Sequence, residues 1–313
     1  MSYYVVPPSL GFGDLVVTLP IVQALIARGE RVVCCVHSAD HLPVAERVPG
    51  LHHAVLSQDL DTVSRGPGDV VMNLRAHPLQ QDYWWVSRRF AELFPGYGVN
   101  EILSHMCRDF GLDLPLDDYR PLRFQLRNEA AGRVLLVPGT EVPAKAWPIS
   151  HWLALAGNIV GMGGRVLVLG QPQECFAVRE LVDEGLPWQE SPGLVDALDL
   201  LASALAVVAV DTGLMHLAVH QLVPTVAMFR HAPLYLRRVD HLLPVVAEAP
   251  CLEECYQLEM RAAGEGVPGD HPERRMEPWS CADQGRGCMA SISPRAALAA
   301  LEQAVVCSGE VGS

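Results

Sequence analysis

The chain has 313 residues and carries 36 acidic against 23 basic side chains, a net charge of −13 near neutral pH. That balance argues against nucleic acid as a partner and against docking on anionic lipid by charge alone, because both are held chiefly by basic surfaces. Half of the residues are hydrophobic and 6% aromatic, which excludes global disorder and suits parallel sheets covered by helices; at this length two domains are expected.

Met1 to Tyr4 lack a basic leader pattern, and Pro7 and Pro8 cut the first apolar run. The longest apolar stretch, 197–210, is broken by Asp199 and is too short to span a bilayer. A soluble, cytoplasmic protein is therefore expected, with no transmembrane segment and at most peripheral membrane contact. In such a reducing compartment most of the nine cysteines are expected as free thiols.

Residues 3–6 read as a first strand. After Pro7-Pro8-Ser9-Leu10 comes Gly11-Phe12-Gly13-Asp14, and then apolar residues at Leu15, Val16, Leu19, Val22, Leu25 and Ile26, one face of a helix ending near Gly29. Asp14 falls on the first turn of this helix, either as a cap that suits the dipole or as a functional carboxylate. Pro20 lies inside the pattern and is expected to kink it. The longer dinucleotide fingerprint is not completed, because Val16 stands where a glycine is needed.

A second strand is expected at 31–36, with Cys34 and Cys35 buried in it, and further strands at 54–56 and 70–74. Asp59 and Asp61 match the spacing of a metal-dependent nucleotide-sugar site, but so short an acidic pattern arises easily by chance. Over 75–118 the chain crowds together His77, Tyr83, Trp84, Trp85, Arg88, Arg89, Phe90, Phe94 and Tyr97. Such a segment supplies core and can also form a sugar-stacking or anion-binding surface.

The polar stretch 126–133 marks a domain boundary, giving a first domain 1–127 and a second 128–313. The second begins with a strand at 134–137, then a helix over 149–160, a strand at 165–169, and helices over 174–184 and 194–204. Between 207 and 229 the chain reads strand, turn, helix, strand, the turn being Asp211-Thr212-Gly213. Asp211 or Thr212 is placed to cap the helix, whose first amides can hold a phosphate; equally, the turn can be a capping device alone. A doubly wound nucleotide-binding fold is the natural outcome.

Of the 23 cationic side chains all are Arg except Lys145, which sits in the loop Pro138-Gly139-Thr140-Glu141-Val142-Pro143-Ala144-Lys145-Ala146-Trp147-Pro148. A compact ammonium grips phosphate where a guanidinium is too large; a lone lysine can also be a solvated surface charge. Glu174 follows the 165–169 strand, where a carboxylate suits vicinal hydroxyls or begins a helix. Beyond 229 the chain looks irregular, with a Gly- and Pro-rich flap over 259–280 inside a cysteine-bracketed segment, 251–288. Cys251, Cys255, Cys281 and Cys288 can hold structural zinc or iron as thiolates, stay free, or pair; their spacing is not that of a zinc ribbon. Residues 294–306 form a closing amphipathic helix, expected to pack back across the domain seam.

Taken together, the ordered motifs GFGD, PGTEVPAKAWP and DTGLMH with its VPTVAMF strand resemble the family 9 glycosyltransferases, the bacterial heptosyltransferases. The resemblance implies an α/β GT-B fold: two Rossmann-like doubly wound parallel-sheet domains facing a cleft, with the C-terminal helix crossing back. It implies Asp14 as catalytic base, with Gly11 and Gly13 of the same turn on the acceptor side, where the aromatic- and Arg-rich segment offers Trp84 and Arg88. On the donor side it implies Gly139, Thr140, Lys145, Gly170, Glu174, Asp211, Thr212, Gly213 and His216. A helix terminus contributes only about 0.3–2 kcal/mol toward an anion, whereas a donor aimed at developing charge is worth about 3–4, so Lys145 is the expected main electrostatic catalyst.

The implied reaction is inverting and needs no divalent metal. The donor is a nucleotide-diphosphate sugar, with ADP-heptose favoured, and the acceptor hydroxyl belongs to lipopolysaccharide core, a protein or a small natural product. Pro7-Pro8 replaces the polar or basic residues more usual in the family after the first strand. Family members also carry cysteines near a segment like Cys288-Met289-Ala290-Ser291-Ile292. Two rival readings are a nucleotide-sugar epimerase on the same fold and a nucleotide-sugar-binding or assembly protein without turnover.

Overall fold

The computed structural model describes residues 1–83, 85, 88–140, 145–230, 236–248 and 288–309, the side chains of 88, 89 and 307–309 excepted. Among these, the chain divides into two compact units, the first comprising 1–123 with Leu236 and Arg237, the second 124–230, 238–248 and 288–309. No helix among the described residues is long and apolar enough to cross a membrane.

The first unit is built on four parallel strands, β1 (Ser2–Val6), β2 (Arg31–Val36), β3 (His53–Leu56) and β4 (Val70–Asn73), in the order β3-β2-β1-β4. β1 and β2 are near-continuous apolar runs because both of their faces are covered. Helix α1 (Phe12–Ala27) joins them and is buried on almost every side from Leu15 to Leu25, which explains its lack of a polar face. It passes through Pro20 as one helix.

Four shorter helices follow: α2 (Leu42–Ala45), α3 (Pro78–Gln81), α4 (Arg88–Leu93) and α5 (Val99–Asp109). The Glu101 carboxylate accepts from the Gly98 amide at 2.8 Å and so closes the start of α5. The aromatic crowd is largely structural: Trp85 and Phe90 are buried, and Phe94 packs against Tyr83, Phe90 and Tyr97 at ring separations of 5.5, 4.8 and 5.3 Å.

The second unit has six parallel strands, β5 (Val134–Val137), β6 (Val166–Leu169), β7 (Trp188–Gln189), β8 (Ala206–Val210), β9 (Thr225–Phe229) and β10 (Leu242–Val246), in the order β10-β9-β8-β5-β6-β7. Helices α6 (Ile149–Gly161), α7 (Phe176–Asp183), α8 (Leu194–Ala202) and α9 (Gly213–His220) connect them. The expectation of irregular chain after 229 is corrected by β10. Pro244 hides this strand from pattern reading but is tolerated at the edge of the sheet, where one side of the backbone pairs with no strand among the described residues.

The closing helix α10 (Pro294–Gly309) lays Ala297, Leu301 and Ala304 into the core of the second unit, against α6 and strands β8, β9 and β10. Its apolar stripe therefore completes that unit's own core.

Candidate functional site

Both sheets reverse direction once. In the first, the chain runs β1, β2, β3 outward and then returns to place β4 on the other side of β1; in the second it runs β5, β6, β7 and returns to place β8 beside β5. Ligands in open α/β sheets bind beyond the carboxyl ends of the strands at such a switch point. The segments leaving β1, β5 and β8 carry the three motifs singled out from the sequence.

In the second unit two of those segments meet. Asp211, the first residue after β8, receives Lys145 from the loop after β5: Lys145 Nζ lies 2.7 Å from Asp211 Oδ2. His216 Nε2 stands 4.0 Å from the other carboxylate oxygen, Oδ1. The side chains of Lys145, His216 and Asp211 are 23%, 11% and 9% exposed. Exposed ion pairs are worth about 0–1 kcal/mol, but this one is short and sheltered, so its charges are less screened and its geometry is held.

The loop itself is anchored two residues on. Trp147 is buried, packs edge-to-face on Trp152 with ring centroids 4.9 Å apart, and donates its Nε1 hydrogen to the Ile292 carbonyl at 2.9 Å. His151 Nδ1 meets the same carbonyl at 3.1 Å. Ile292, just past the short helix Cys288–Ser291 and before α10, thus fixes the end of the loop that presents the ammonium.

Thr212 stands at the N-cap of α9 with extended backbone, φ −149° and ψ 161°, but without a side-chain cap bond, and Asp211 is paired with Lys145. This corrects the expectation of a cap for Thr212; a carboxylate beside a full cation gains a charge-assisted bond. The first turn of α9, with Thr212 and Gly213 half-buried, keeps the amide-rich end that favours an anion.

Gly139 and Thr140 follow β5 directly and are half-buried. Gly170 ends β6 with φ +144°, and a Cβ there would come within 2.7 Å of Val178 on α7, so no other residue fits without strain. Glu174 is exposed in the turn between β6 and α7, its amide bonded to the Gln171 carbonyl at 3.1 Å; α7 begins at Phe176 with Cys175 as N-cap, so Glu174 lies outside the helix.

In the first unit Asp14 sits on the first turn of α1, whose N-cap is Gly11. The carboxylate folds back over that residue: a Cβ built on Gly11 would lie 2.7 Å from Asp14 Oδ2, so Gly11 keeps the space open. Thr18 Oγ1 donates to the Asp14 carbonyl at 2.7 Å, and Phe12 packs on His41 with centroids 5.3 Å apart. Gly13 lies half-buried between them in sequence. Beside this turn His37, just past β2, holds Ser57 Oγ at 2.7 Å and reaches the Pro7 carbonyl at 3.5 Å; burial draws its pKa down.

Sequence reading missed His37, and also Arg237, whose buried guanidinium donates to a carbonyl of α1. The one signal pointing to Arg237 was Pro20. Arg88 begins α4, its side chain outside the described residues, and Trp84 lies outside them altogether. So do Cys251, Cys255 and Cys281; Cys288 is buried in the core of the second unit. Among the described residues no group of three or more His, Cys, Asp and Glu is placed to hold a metal ion.

The profile of glycosyltransferase family 9 (heptosyltransferase) matches residues 60–251, a span that includes the loop of Lys145 and the turn of Asp211 but not Asp14. Lipopolysaccharide heptosyltransferase 2 of Salmonella typhimurium is 31% identical over 147 residues, 44% of this chain and 38% of that protein. Lipopolysaccharide heptosyltransferase 1 of Pseudomonas aeruginosa is 33% identical over 159 residues, 47% of this chain and 44% of that protein. The chain thus spans less than half the length of these curated relatives.

Solved structures share the fold over nearly the whole chain. ADP-heptose LPS heptosyltransferase II of E. coli superposes with TM-score 0.64 at 18% identity, covering 99% of this chain and 100% of that one. An iron-containing dodecameric glycosyltransferase of enterotoxigenic E. coli gives 0.62 at 15% identity, covering 97% of this chain and 75% of that one. With the profile matched over more than half its length and two doubly wound parallel sheets of the GT-B class, the chain belongs to glycosyltransferase family 9.

Proposed function

We propose that this protein is an inverting glycosyltransferase that moves heptose from ADP-heptose to an acceptor hydroxyl of a lipopolysaccharide core. The observation that carries this reading is the cluster of Lys145, Asp211 and His216 at the switch point of the second sheet, beside the amide-rich start of α9. A diphosphate carries more negative charge than one carboxylate, so it competes with Asp211 for the ammonium and gains the α9 amides as well.

In the proposed step the acceptor oxygen attacks the anomeric carbon, its proton passes to the Asp14 carboxylate, and the bond from that carbon to the diphosphate oxygen breaks with its electron pair going to ADP. Attack opposite the leaving group inverts the centre. Lys145, helped by Thr140, Thr212, Gly213 and His216, balances the charge that builds on the leaving oxygen. Gly139 and Gly170 let the strand ends approach the nucleotide, Glu174 takes the ribose hydroxyls, and Asp211 both holds Lys145 and faces the sugar. Gly11, Gly13, Trp84 and Arg88 belong to the acceptor side. The ADP-heptose and lipopolysaccharide named for the family's solved and curated members support the choice of donor and acceptor.

The same reading gives Cys251, Cys255, Cys281 and Cys288 a structural zinc or iron, for which a four-thiolate donor set is chemically suited and which takes no part in the transfer. It also places the enzyme in the cytoplasm.

The test is to incubate the chain with ADP-heptose and a heptose-deficient core acceptor and follow ADP release and product mass. Sugar transferred with inverted anomeric configuration is the expected result. Isomerised donor formed without acceptor, or binding without turnover, would replace the assignment by an epimerase or a binding protein. In parallel, the melting temperature should rise most with ADP-sugars among ADP-, UDP- and GDP-sugars, since a ligand bound only by the native state stabilises it.

A further inference from the structure

Pro20 stands in the middle of α1, eight residues after its start at Phe12. Proline has no N–H, so the carbonyl four residues earlier, that of Val16, loses its helical partner, and the ring pushes that carbonyl away from the helix axis. Val16 is fully buried, so water does not replace the missing donor. Arg237 does: its Nη2 donates to the Val16 carbonyl at 2.5 Å.

The guanidinium is itself held. Arg237 is 3% exposed and lies over the ring of Tyr119, 4.5 Å from the centroid. The Tyr119 loop is tied to the same helix, because Gln23 Nε2 donates to the Arg120 carbonyl at 2.7 Å and the Arg120 amide donates to Gln23 Oε1 at 3.0 Å. Val16, Pro20 and Gln23 fall at i, i+4 and i+7, one face of the helix. Burial of a cation this deep is rare without a specific task, and an arginine can donate in its plane while stacking on a ring, which a lysine cannot.

Asp14 lies two residues before Val16, on the N-terminal side of Pro20. With the bond from residue 20 to the Val16 carbonyl missing, the course of the first turn depends on where that carbonyl is held. We propose that Arg237 is a positioning residue for Asp14: by taking the carbonyl that Pro20 leaves open, it sets the direction of the first turn of α1 and with it the place of the Asp14 carboxylate. This inference rests on the role given to Asp14 above. It requires no contact between Arg237 and a reactant.

The pairing supplies its own test. Arg237→Met removes the donor at similar volume, while Pro20→Ala returns an amide to the Val16 carbonyl. A misplacement of order 1 Å costs about 100-fold in rate, so Arg237→Met should lower kcat by about 10- to 100-fold while leaving the donor KM nearly unchanged. The double variant Arg237→Met with Pro20→Ala should recover most of that loss. Hydrogen exchange over residues 12–20 should quicken in Arg237→Met and slow again in the double variant. Should Arg237→Met not fold, Arg237→Lys, which cannot hold the Val16 carbonyl and stack on Tyr119 at once, takes its place with a smaller loss and the same rescue expected.

A slow Arg237 variant that Pro20→Ala does not rescue, or one that turns over like the parent, overturns the proposal. The two readings fail differently. Wild-type turnover by Asp14→Asn overturns the base assignment and the Arg237 proposal with it, whereas an inactive Asp14→Asn beside a fully active Arg237→Met overturns the latter alone.

Discussion

In the first unit the group proposed as base is a carboxylate on the first turn of a helix; in the second the group proposed to meet the diphosphate is an ammonium carried by a loop and paired with a carboxylate at the end of the neighbouring strand. A helix-borne group takes its position from the direction of the whole turn, so the proposed hold on the Val16 carbonyl would act on Asp14. A loop-borne group takes its position from local anchors, here the buried Trp147 and the 2.7 Å pair with Asp211. The same topology thus presents two groups that are sensitive to different injuries.

Four experiments sharpen or break that contrast. Asp14→Asn should have the largest effect, a fall in kcat on the order of 100- to 10,000-fold, the range of a lost general base, with donor-induced thermal shift preserved. Loss of donor binding in this variant would mean that the two groups do not divide the reaction between them. Lys145→Ala should cost about 100- to 1,000-fold in kcat and weaken the donor-induced shift as well. Lys145→Arg should stay impaired, because a planar fork does not replace a point charge next to Asp211.

Trp147→Ala should cost about 3–5 kcal/mol of stability in denaturant unfolding, as large-to-small changes in a packed core do. Amides of β5 and α6 should lose protection while those of α1 do not; a cost under about 1 kcal/mol, the level of a surface change, would remove the anchor from the account.

The smallest effect concerns pH. Burial is the first cause lowering the pKa of His37, His41, His53 and His77, all in the first unit; for His77 it outweighs the opposing Asp109 carboxylate 3.1 Å away. A folded pKa below the unfolded value means that folding favours the neutral ring. The contribution is therefore complete above about pH 6.5 and is lost as the pH falls below it. Hydrogen exchange compared at pH 7.5 and below pH 6.5 should show β1, β2 and α1 losing protection ahead of β5 and β8. The reverse order would show that other groups govern acid opening.

Much of the fold was legible because its signals are local. The β-branched runs at β1, β2, β5, β8 and β9, the spacing of Leu15, Leu19 and Val22, and the Gly and Pro punctuation all report on neighbours within a few residues. The three motifs were legible for the same reason, each being a strand end, a turn and a helix start in continuous sequence. β10 was not, since Pro244 breaks the pattern and only the edge of β9 makes a strand of it.

The sequence by itself therefore determined most of the strands and helices of both sheets, their order, and the motifs that stand at the strand ends. Tertiary structure alone decided that Lys145 finds Asp211 across 66 positions of sequence, that Thr212 makes no side-chain cap bond to α9, and that Arg237 reaches back across 221 positions to the carbonyl Pro20 releases. The physical reason is one of range. Periodicity and turn chemistry act over a few residues, whereas which strand returns beside which, and which buried donor meets which orphaned acceptor, is settled only when the sheets close and every polar group inside them must find a partner.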